Sequence, residues 1–397
     1  MIIEPKIRSN VFTNAHPEGC RCFVKSQIDE VMTKSSFEGP KNVLIIGGSS
    51  GYGLSSRIAL AFGANANTVN VSFESAPKGK RTGTAGWWNN VAFQSYAKKT
   101  GNTHKDFIGD AFSKEMKEDV AAYIKKTFGK IDLLIYSLAA GARKDEKTGE
   151  LIRSSIKTVD EPVTGQTIDI AKREVKTLSV EPATDDEIAN TVFVMGGDDW
   201  QSWIEHLGAA SLLDKGFKTI SYTYVGGETT DKLYRSGSIG KAKEDLEKRA
   251  SLMHEHLQEK YEGEALISSS KAVVTKASVF IPQMPIYVAC LYDVMMEAGV
   301  HETILEHKYR LFKDMVYGSK REVDAAGRLR LDAYEMRKDI QEKVQKKMAN
   351  ISDEELFALK GTQVFLKEFY QMNGFAFEQV DYKSPVNLEQ FSTLKPE

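Results

Sequence analysis

"KNVLIIGGSSGYGLSSRIALAFG", residues 41–63, decides how the rest of the chain reads. Its first seven residues form an apolar, β-branched run that ends in glycine, the pattern of a strand buried in a parallel sheet. "LSSRIALAFG" then reads as a helix closed by Gly63. Between the two, Gly47, Gly51 and Gly53 follow the spacing G-x-x-x-G-x-G. Glycines there let the backbone approach a pyrophosphate, which the first amides of the helix then bind. A glycine-rich turn by itself is weak evidence, because glycines also make plain turns. Here the strand before it and the helix after it are both legible.

Working outward, "TVNVSFE" (68–74) is a second strand and "SKEMKEDVAAYIKKTF" (113–128) an amphipathic helix opened by a serine cap. "KIDLLIYSLAA" (130–140), "FKTISYTYVG" (217–226) and "EALISSSKAVVT" (264–275) are further strands, the last running into a loop. A long helical pattern follows Lys243. This alternation predicts an α/β fold with a doubly wound, Rossmann-type parallel sheet. Residues 143–182 are polar and turn-rich and read as inserted hairpins, whereas 301–397 read as a helical C-terminal extension docked on the same sheet. With no repeat or linker in view, we expect one elaborated domain over 1–397, comprising an N-terminal extension (1–40), a core (41–300) and that extension.

Glu74 ends the second strand, where an acid hydrogen-bonds the adenosine ribose of NAD. It would also repel the 2′-phosphate of NADP. Two unit charges 4 Å apart cost about 4 kcal/mol at an effective dielectric near 20. NADH is therefore the expected partner, with Lys78, Lys80 and Arg81 near enough in sequence to soften the preference. Asp110 and Ala111 fall near the end of the third strand, and Leu138 and Ala139 at the end of the fourth, where this fold binds its ligands.

Bulk composition narrows the field. The 397 residues carry 53 basic and 55 acidic side chains, a formal charge of −2, without the basic excess of a nucleic-acid binder. Three cysteines (Cys20, Cys22, Cys290) suit a reducing compartment and ordinary thiols. The most apolar stretch, "VFIPQMPIYVACLYDVMM" (279–296), is too short and too interrupted to span a bilayer. It reads as a buried helix or as an apolar pocket wall. No signal segment opens the chain, so a cytoplasmic protein is expected, with a monomer as the simplest assembly. Beyond His254-x-His256, which reads as part of an exposed helix, the histidines show no metal spacing, and Asp198, Asp199 and Glu228 read as surface or cap residues, so no metal is expected.

"LYRSGSIGKAKEDL" (233–246) sets Tyr234 and Lys243 nine positions apart. In one continuous helix they would face opposite ways, so a meeting requires the chain to bend at Ser236–Gly240. A phenol is a proton donor at neutral pH, and a nearby ammonium favours its ionised form. Such a pair suits chemistry in which negative charge grows on an oxygen. Beside a dinucleotide fold it implies hydride transfer to a carbonyl or to a double bond conjugated with one. Tyr224, on the preceding strand, is a second hydroxyl able to reach that oxygen.

"GGSSGYG", "VSFE", "GDAFS", "YSLAA", "VMGGDDW", "YTYVG", Y-x8-K and "KAVVTKAS", in this order, resemble the trans-2-enoyl-CoA reductases, a family that includes the FabV-type enoyl-acyl-carrier-protein reductases. The likeness runs from "HPEGC" (16–20) to "NGF" (373–375). It implies reduction of a trans-2-enoyl thioester of coenzyme A or acyl carrier protein with NADH and without flavin, in fatty acid synthesis or short-chain acyl metabolism. By position it makes Tyr234 the catalytic donor, Tyr224 the substrate-contacting hydroxyl and Lys243 a catalytic, cofactor-contacting lysine. Gly47, Gly48, Ser49, Ser50, Gly51, Tyr52, Phe73, Glu74, Asp110, Ala111, Leu138, Ala139, Val273, Val274 and Thr275 match its NAD-contacting segments. The chain departs at Gly141, where many members carry proline, and at Trp88, which replaces a common tyrosine. The rival reading is a carbonyl (3-oxoacyl) reductase of the wider short-chain dehydrogenase superfamily. Those enzymes usually carry a shorter Tyr-x-x-x-Lys spacing and an upstream serine, neither of which is evident here.

Overall fold

Val43, Leu44, Ile45 and Ile46 are fully buried, which is possible only for a strand covered on both faces. In the computed structural model, which describes residues 1–8, 10–276, 278–349, 351–388 and 395–396, they belong to the centre of a seven-stranded parallel sheet. A ribbon of β1 (Ile7–Arg8) and β2 (Val11–Phe12) precedes it. The sheet is built from β3 (Asn42–Ile46), β4 (Asn67–Ser72), β5 (His104–Ile108) and β6 (Ile131–Tyr136), then β11 (Leu213–Thr223), β12 (Glu264–Ser269) and β13 (Leu329–Arg330). Its order is β13-β12-β11-β6-β3-β4-β5. The chain reverses direction across the sheet between β3 and β6, the position at which an open α/β sheet leaves a crevice at its carboxyl edge.

The expected hairpins lie where the polar stretch placed them. β7 (Ala142–Lys144) pairs with β8 (Leu151–Arg153), and β9 (Val163–Asp169) with β10 (Glu174–Val180), both antiparallel. The helices are α1 (Pro17–Met32), α2 (Gly51–Ile58), α3 (Ala85–Ala97), α4 (Lys114–Thr127), α5 (Asp185–Met195), α6 (Asp198–Ala209), α7 (Glu228–Asp231) and α8 (Ser238–Tyr261). After them come α9 (Met284–Glu297), α10 (Ile304–Arg310), α11 (Lys338–Met348), α12 (Asp353–Ala358) and α13 (Lys360–Gln371). Ser113 caps α4 as expected, its hydroxyl accepting from the Met116 amide at 3.2 Å.

Two differences from the sequence reading have physical causes. The helix after the glycine turn ends as a π-helix over Ala59–Gly63, wider than an α-helix. The C-terminal extension is not helical throughout, because Leu329 and Arg330 add β13 beside β12 at the sheet edge. A two-residue strand carries too little alternation to announce itself. The last part of that extension, 389–394 and 397, lies outside the described residues.

α9 is the buried helix that its apolar run suggested. Met284 through Met295 are all buried, and α11, α12 and α13 pack around it through Ile340, Val344, Leu356, Phe365 and Phe369. The same cluster contains Tyr224 and takes in Tyr234 at its margin. The extension therefore builds one wall of the crevice.

Candidate active site

The glycine turn sits where β3 meets β6. A Cβ on Gly47, whose φ is +91°, would stand 2.3 Å from the Ser137 carbonyl oxygen, so only glycine lets the two strand ends approach this closely. Asn70 on β4 reaches under the turn and accepts from the Gly48 amide at 2.8 Å. Ser50 precedes α2 without capping it by its side chain, which leaves first-turn amides of the helix without that partner. Tyr52 donates from its hydroxyl to the Lys271 carbonyl at 2.6 Å, tying the turn to the loop after β12. Thr275 of that loop borders Gly51.

At the end of β4, Phe73 is 81% exposed, a large aromatic face left in the open beside the turn. Glu74 is the reverse. Its carboxylate accepts from Ser49 Oγ at 2.6 Å and from the Thr84 hydroxyl, and it packs against Gly86. Asp110 Oδ1 accepts from the Phe112 amide at 2.9 Å, holding the loop beyond β5, while Ala111 packs in a cluster with Tyr136 and Leu138 of the β6 end. Leu138 lies 3.4 Å from where a Gly47 Cβ would be. Ala139 is exposed, Val273 and Val274 are buried, and the Thr275 backbone amide donates to Ser278 Oγ. The segments 47–52, 73–74, 110–111, 138–139 and 273–275 thus gather at the carboxyl edge of the sheet. Free helix amides, an open aromatic face and a positioned carboxylate fit a dinucleotide there.

The bend between Tyr234 and Lys243 is real. Tyr234 lies in turns after α7, and α8 begins only at Ser238. The segment joining the two inserted hairpins fixes that start, since Ser238 Oγ donates to the Ser155 carbonyl at 2.6 Å and the Ser238 amide to the Lys157 carbonyl at 2.9 Å. A Cβ on Gly240 would meet the Arg235 carbonyl oxygen at 1.8 Å, so the fold-back needs glycine. Both side chains then address the end of β11. Lys243 Nζ donates to the Tyr222 carbonyl at 3.2 Å. The Tyr234 ring meets the Tyr224 ring edge-on, with centroids 4.9 Å apart.

The electrostatics depart from the sequence reading. No described hydrogen bond joins Tyr234 to Lys243. Burial raises the Tyr234 pKa, and the cation that pulls it back is Arg235 rather than Lys243. The phenol is therefore held neutral, a donor and not a phenolate. Burial brings Lys243 down to about 8, against a smaller upward pull from Glu247. Tyr224 is also not a free hydroxyl. It bonds Glu335 Oε1 at 3.0 Å and Thr230 Oγ1 at 3.3 Å.

Asp198 and Glu228 open α6 and α7 as expected, but Asp199 is not a surface residue. It is buried, accepting from Lys117 Nζ at 2.7 Å and from the Tyr136 hydroxyl at 3.0 Å. Among the described residues no cluster of three or more His, Cys, Asp or Glu side chains could hold a metal. Sequence reasoning also missed Asn70, Lys308 and Glu335. Lys308 stacks its ammonium over the rings of Tyr222 and Tyr52, 3.6 Å and 4.2 Å from the centroids, beneath the glycine turn. Asn70 had a signal, a polar residue inside an apolar strand. Glu335 and Lys308 had none.

Three family profiles tile the chain. Residues 2–79 match the NAD(P)H binding domain of trans-2-enoyl-CoA reductase, and 81–317 the trans-2-enoyl-CoA reductase catalytic region. Residues 323–386 match one described as an enoyl reductase FAD binding domain. In this chain that last segment is filled by its own side chains. Its Gly361 is taken up in helix packing, where a Cβ would stand 2.1 Å from the Ala289 carbonyl oxygen of α9. A trans-2-enoyl-CoA reductase [NADH] of Clostridium beijerinckii is 45% identical over 398 residues, covering all of both chains. An enoyl-[acyl-carrier-protein] reductase [NADH] of Photobacterium profundum is 44% identical over 99% of this chain and 100% of that one. The crystal structure of a Clostridium acetobutylicum trans-2-enoyl-CoA reductase in complex with NADH superimposes with a TM-score of 0.97, at 44% identity and full coverage of both chains.

Proposed function

The chain belongs to the trans-2-enoyl-CoA reductase family, and from that premise we propose that it reduces the carbon–carbon double bond of a trans-2-enoyl thioester with NADH, giving the saturated acyl thioester. The single observation that carries the reading is the convergence of Tyr234, Tyr224 and Lys243 on the end of β11, beside the glycine turn.

When bound, NADH supplies the hydride to the β-carbon, and negative charge moves to the thioester oxygen. Tyr234, kept neutral by burial, donates a hydrogen bond to that oxygen, and a proton taken up from solvent at the α-carbon completes the saturated thioester. Tyr224 packs its ring against Tyr234 and fixes its approach. Lys243, anchored on the Tyr222 carbonyl, presents its ammonium at the carboxyl edge, where the cofactor's ribose and nicotinamide would lie. Glu74 selects NADH, since its carboxylate is fixed by Ser49 and Thr84 and cannot swing away from a 2′-phosphate.

Ile281, Met284 and Ile286, clustered with Tyr224, suit the wall of an acyl pocket. The packing of residues 323–386 supports catalysis without flavin. We read 1–397 as one working unit and as a monomer. Three unpaired thiols suit the cytoplasm, and no described helix is long and apolar enough to cross a membrane.

The test is the purified protein with NADH and either crotonyl-CoA or acetoacetyl-CoA. Cofactor oxidation is expected with crotonyl-CoA alone, and more slowly when NADPH replaces NADH. Turnover of acetoacetyl-CoA alone would make the protein a carbonyl reductase.

A further inference from the structure

Glu335 lies just after a 3-10 turn (Leu331–Tyr334) of the C-terminal extension and is completely buried. Its carboxylate joins three parts of the molecule. Oε1 accepts the Tyr224 hydroxyl at 3.0 Å and the Tyr287 hydroxyl of α9 at 2.7 Å. Oε2 accepts the Ala272 amide at 2.7 Å, one residue before the Val273–Thr275 segment. Its own carbonyl accepts from Gln341 Nε2 at 2.8 Å, which also donates to the Tyr287 hydroxyl at 2.9 Å. No lysine or arginine pairs with this carboxylate among the described ion pairs. Three neutral donors hold it instead. A buried carboxylate is costly unless its lone pairs are satisfied, so this arrangement calls for a compensating use.

We infer that Glu335 is a positioning residue for the reduction, holding Tyr224 and the 272–275 loop in register with Tyr234. The inference rests on the function proposed above and adds a residue to it. A phenol has one hydrogen. With that hydrogen committed to Glu335, the Tyr224 ring is fixed at its far end and its face is locked against Tyr234. The same carboxylate sets the backbone that carries Val273, Val274 and Thr275 beside Gly51. One side chain of the extension thereby sets both the donor side and the cofactor side of the crevice.

The surroundings make its charge state responsive to pH. Burial pushes its pKa up to about 7, against the downward pulls of the Tyr287, Ala272 and Tyr224 bonds, while Asp332 adds to the rise. The other groups that feel its charge are Lys271 after β12, Arg330 of β13 and Tyr52 of the glycine turn. Protonated, Glu335 can no longer accept both hydroxyls on an anionic oxygen, and its grip on Tyr224 loosens.

The experiment compares full-length wild type, Tyr224→Phe, Glu335→Gln and the double variant, using crotonyl-CoA and NADH from pH 5.5 to 9. Loss of a charge-assisted hydrogen bond lowers kcat/KM about tenfold in Glu335→Gln. The route through Tyr224 cannot be lost twice, so kcat in the double variant falls no further than in Tyr224→Phe alone, while the route through the 272–275 loop raises the KM for NADH in both Glu335 variants. The wild-type limb near pH 7 disappears in Glu335→Gln. Multiplying kcat losses in the double variant, or an unchanged limb, would overturn the inference.

A second readout needs no turnover. An acid whose pKa is raised on folding contributes stability that is full below its unfolded value and is lost as pH rises through the folded one. Wild type should therefore lose Tm relative to Glu335→Gln between about pH 4.5 and pH 7; a constant gap between the two overturns the inference. Should Glu335→Gln not fold, Tyr224→Phe moves the midpoint of that stability loss to higher pH, and an unmoved midpoint is the contrary result. If wild type leaves crotonyl-CoA untouched, the proposed reaction fails, while these melting curves still show whether the Glu335 carboxylate holds Tyr224.

Discussion

Tyr234 and Lys243 divide the electrostatic work differently from a directly bonded pair. Tyr234 stays protonated because it is buried, which suits the donor role proposed for it. Tyr234→Phe should lower kcat by about 10²- to 10⁴-fold, the usual range for a lost general acid. A fluorescence titration with NADH should be unchanged in that variant. A kcat within threefold of wild type would remove Tyr234 from the chemistry. Lys243 is cationic below pH 8 and loses its charge above it, because burial disfavours the ammonium. The KM for NADH should therefore rise as pH passes about 8, and Lys243→Met should flatten that limb; a limb that persists in the variant assigns it to another group. The bend between Tyr234 and Lys243 was legible from their spacing and from the intervening glycines. Their separate attachments to β11 were not, because the sequence does not say which backbone carbonyl a lysine will reach.

Between elements, the decisive contacts are close approaches of backbone. α13 lies so near α9 that a Gly361 Cβ would stand 2.4 Å from the Asp293 amide nitrogen, while Asp293 Oδ1 accepts from the Gly361 amide at 3.0 Å. Gly361→Leu should overpack this crossing, costing on the order of 1–3 kcal/mol. Circular dichroism melting should show a lower Tm, and an unchanged Tm would mean the helices part without cost. The elements themselves were largely visible. β3, β4, β6, β11 and β12 follow the apolar runs, and α4 follows its cap and its periodicity. What stayed hidden depends on partners distant in the chain: β13 beside β12, the residues between the hairpins that pin the start of α8, and the carboxylate that binds Tyr224. Glu335 stands in "LDAYEMRKD" among other charged residues, and nothing local marks it for burial.

Across the molecule, segments far apart in sequence share one structure. The His16 amide bonds the Asn373 carbonyl at 3.0 Å, joining the start of α1 to the end of the helical extension. The sheet itself draws strands from Asn42 to Arg330. With its boundaries crossed by packing and pairing, the chain should unfold in one transition. Tryptophan fluorescence and far-ultraviolet circular dichroism should coincide in urea, and two separated midpoints would show that the extension melts alone. NADH at about 100 times its Kd should add about 2.7 kcal/mol to that single transition.

The late position of β13 and Glu335 also governs the order in which the protein becomes competent during synthesis. The ribosome delivers the glycine turn, both tyrosines and the lysine long before residues 329–335 emerge. Until then the nascent sheet has a bare edge at β12 and Tyr224 lacks its carboxylate partner. Ribosome-bound chains halted before Leu329 should therefore be less active than the released chain.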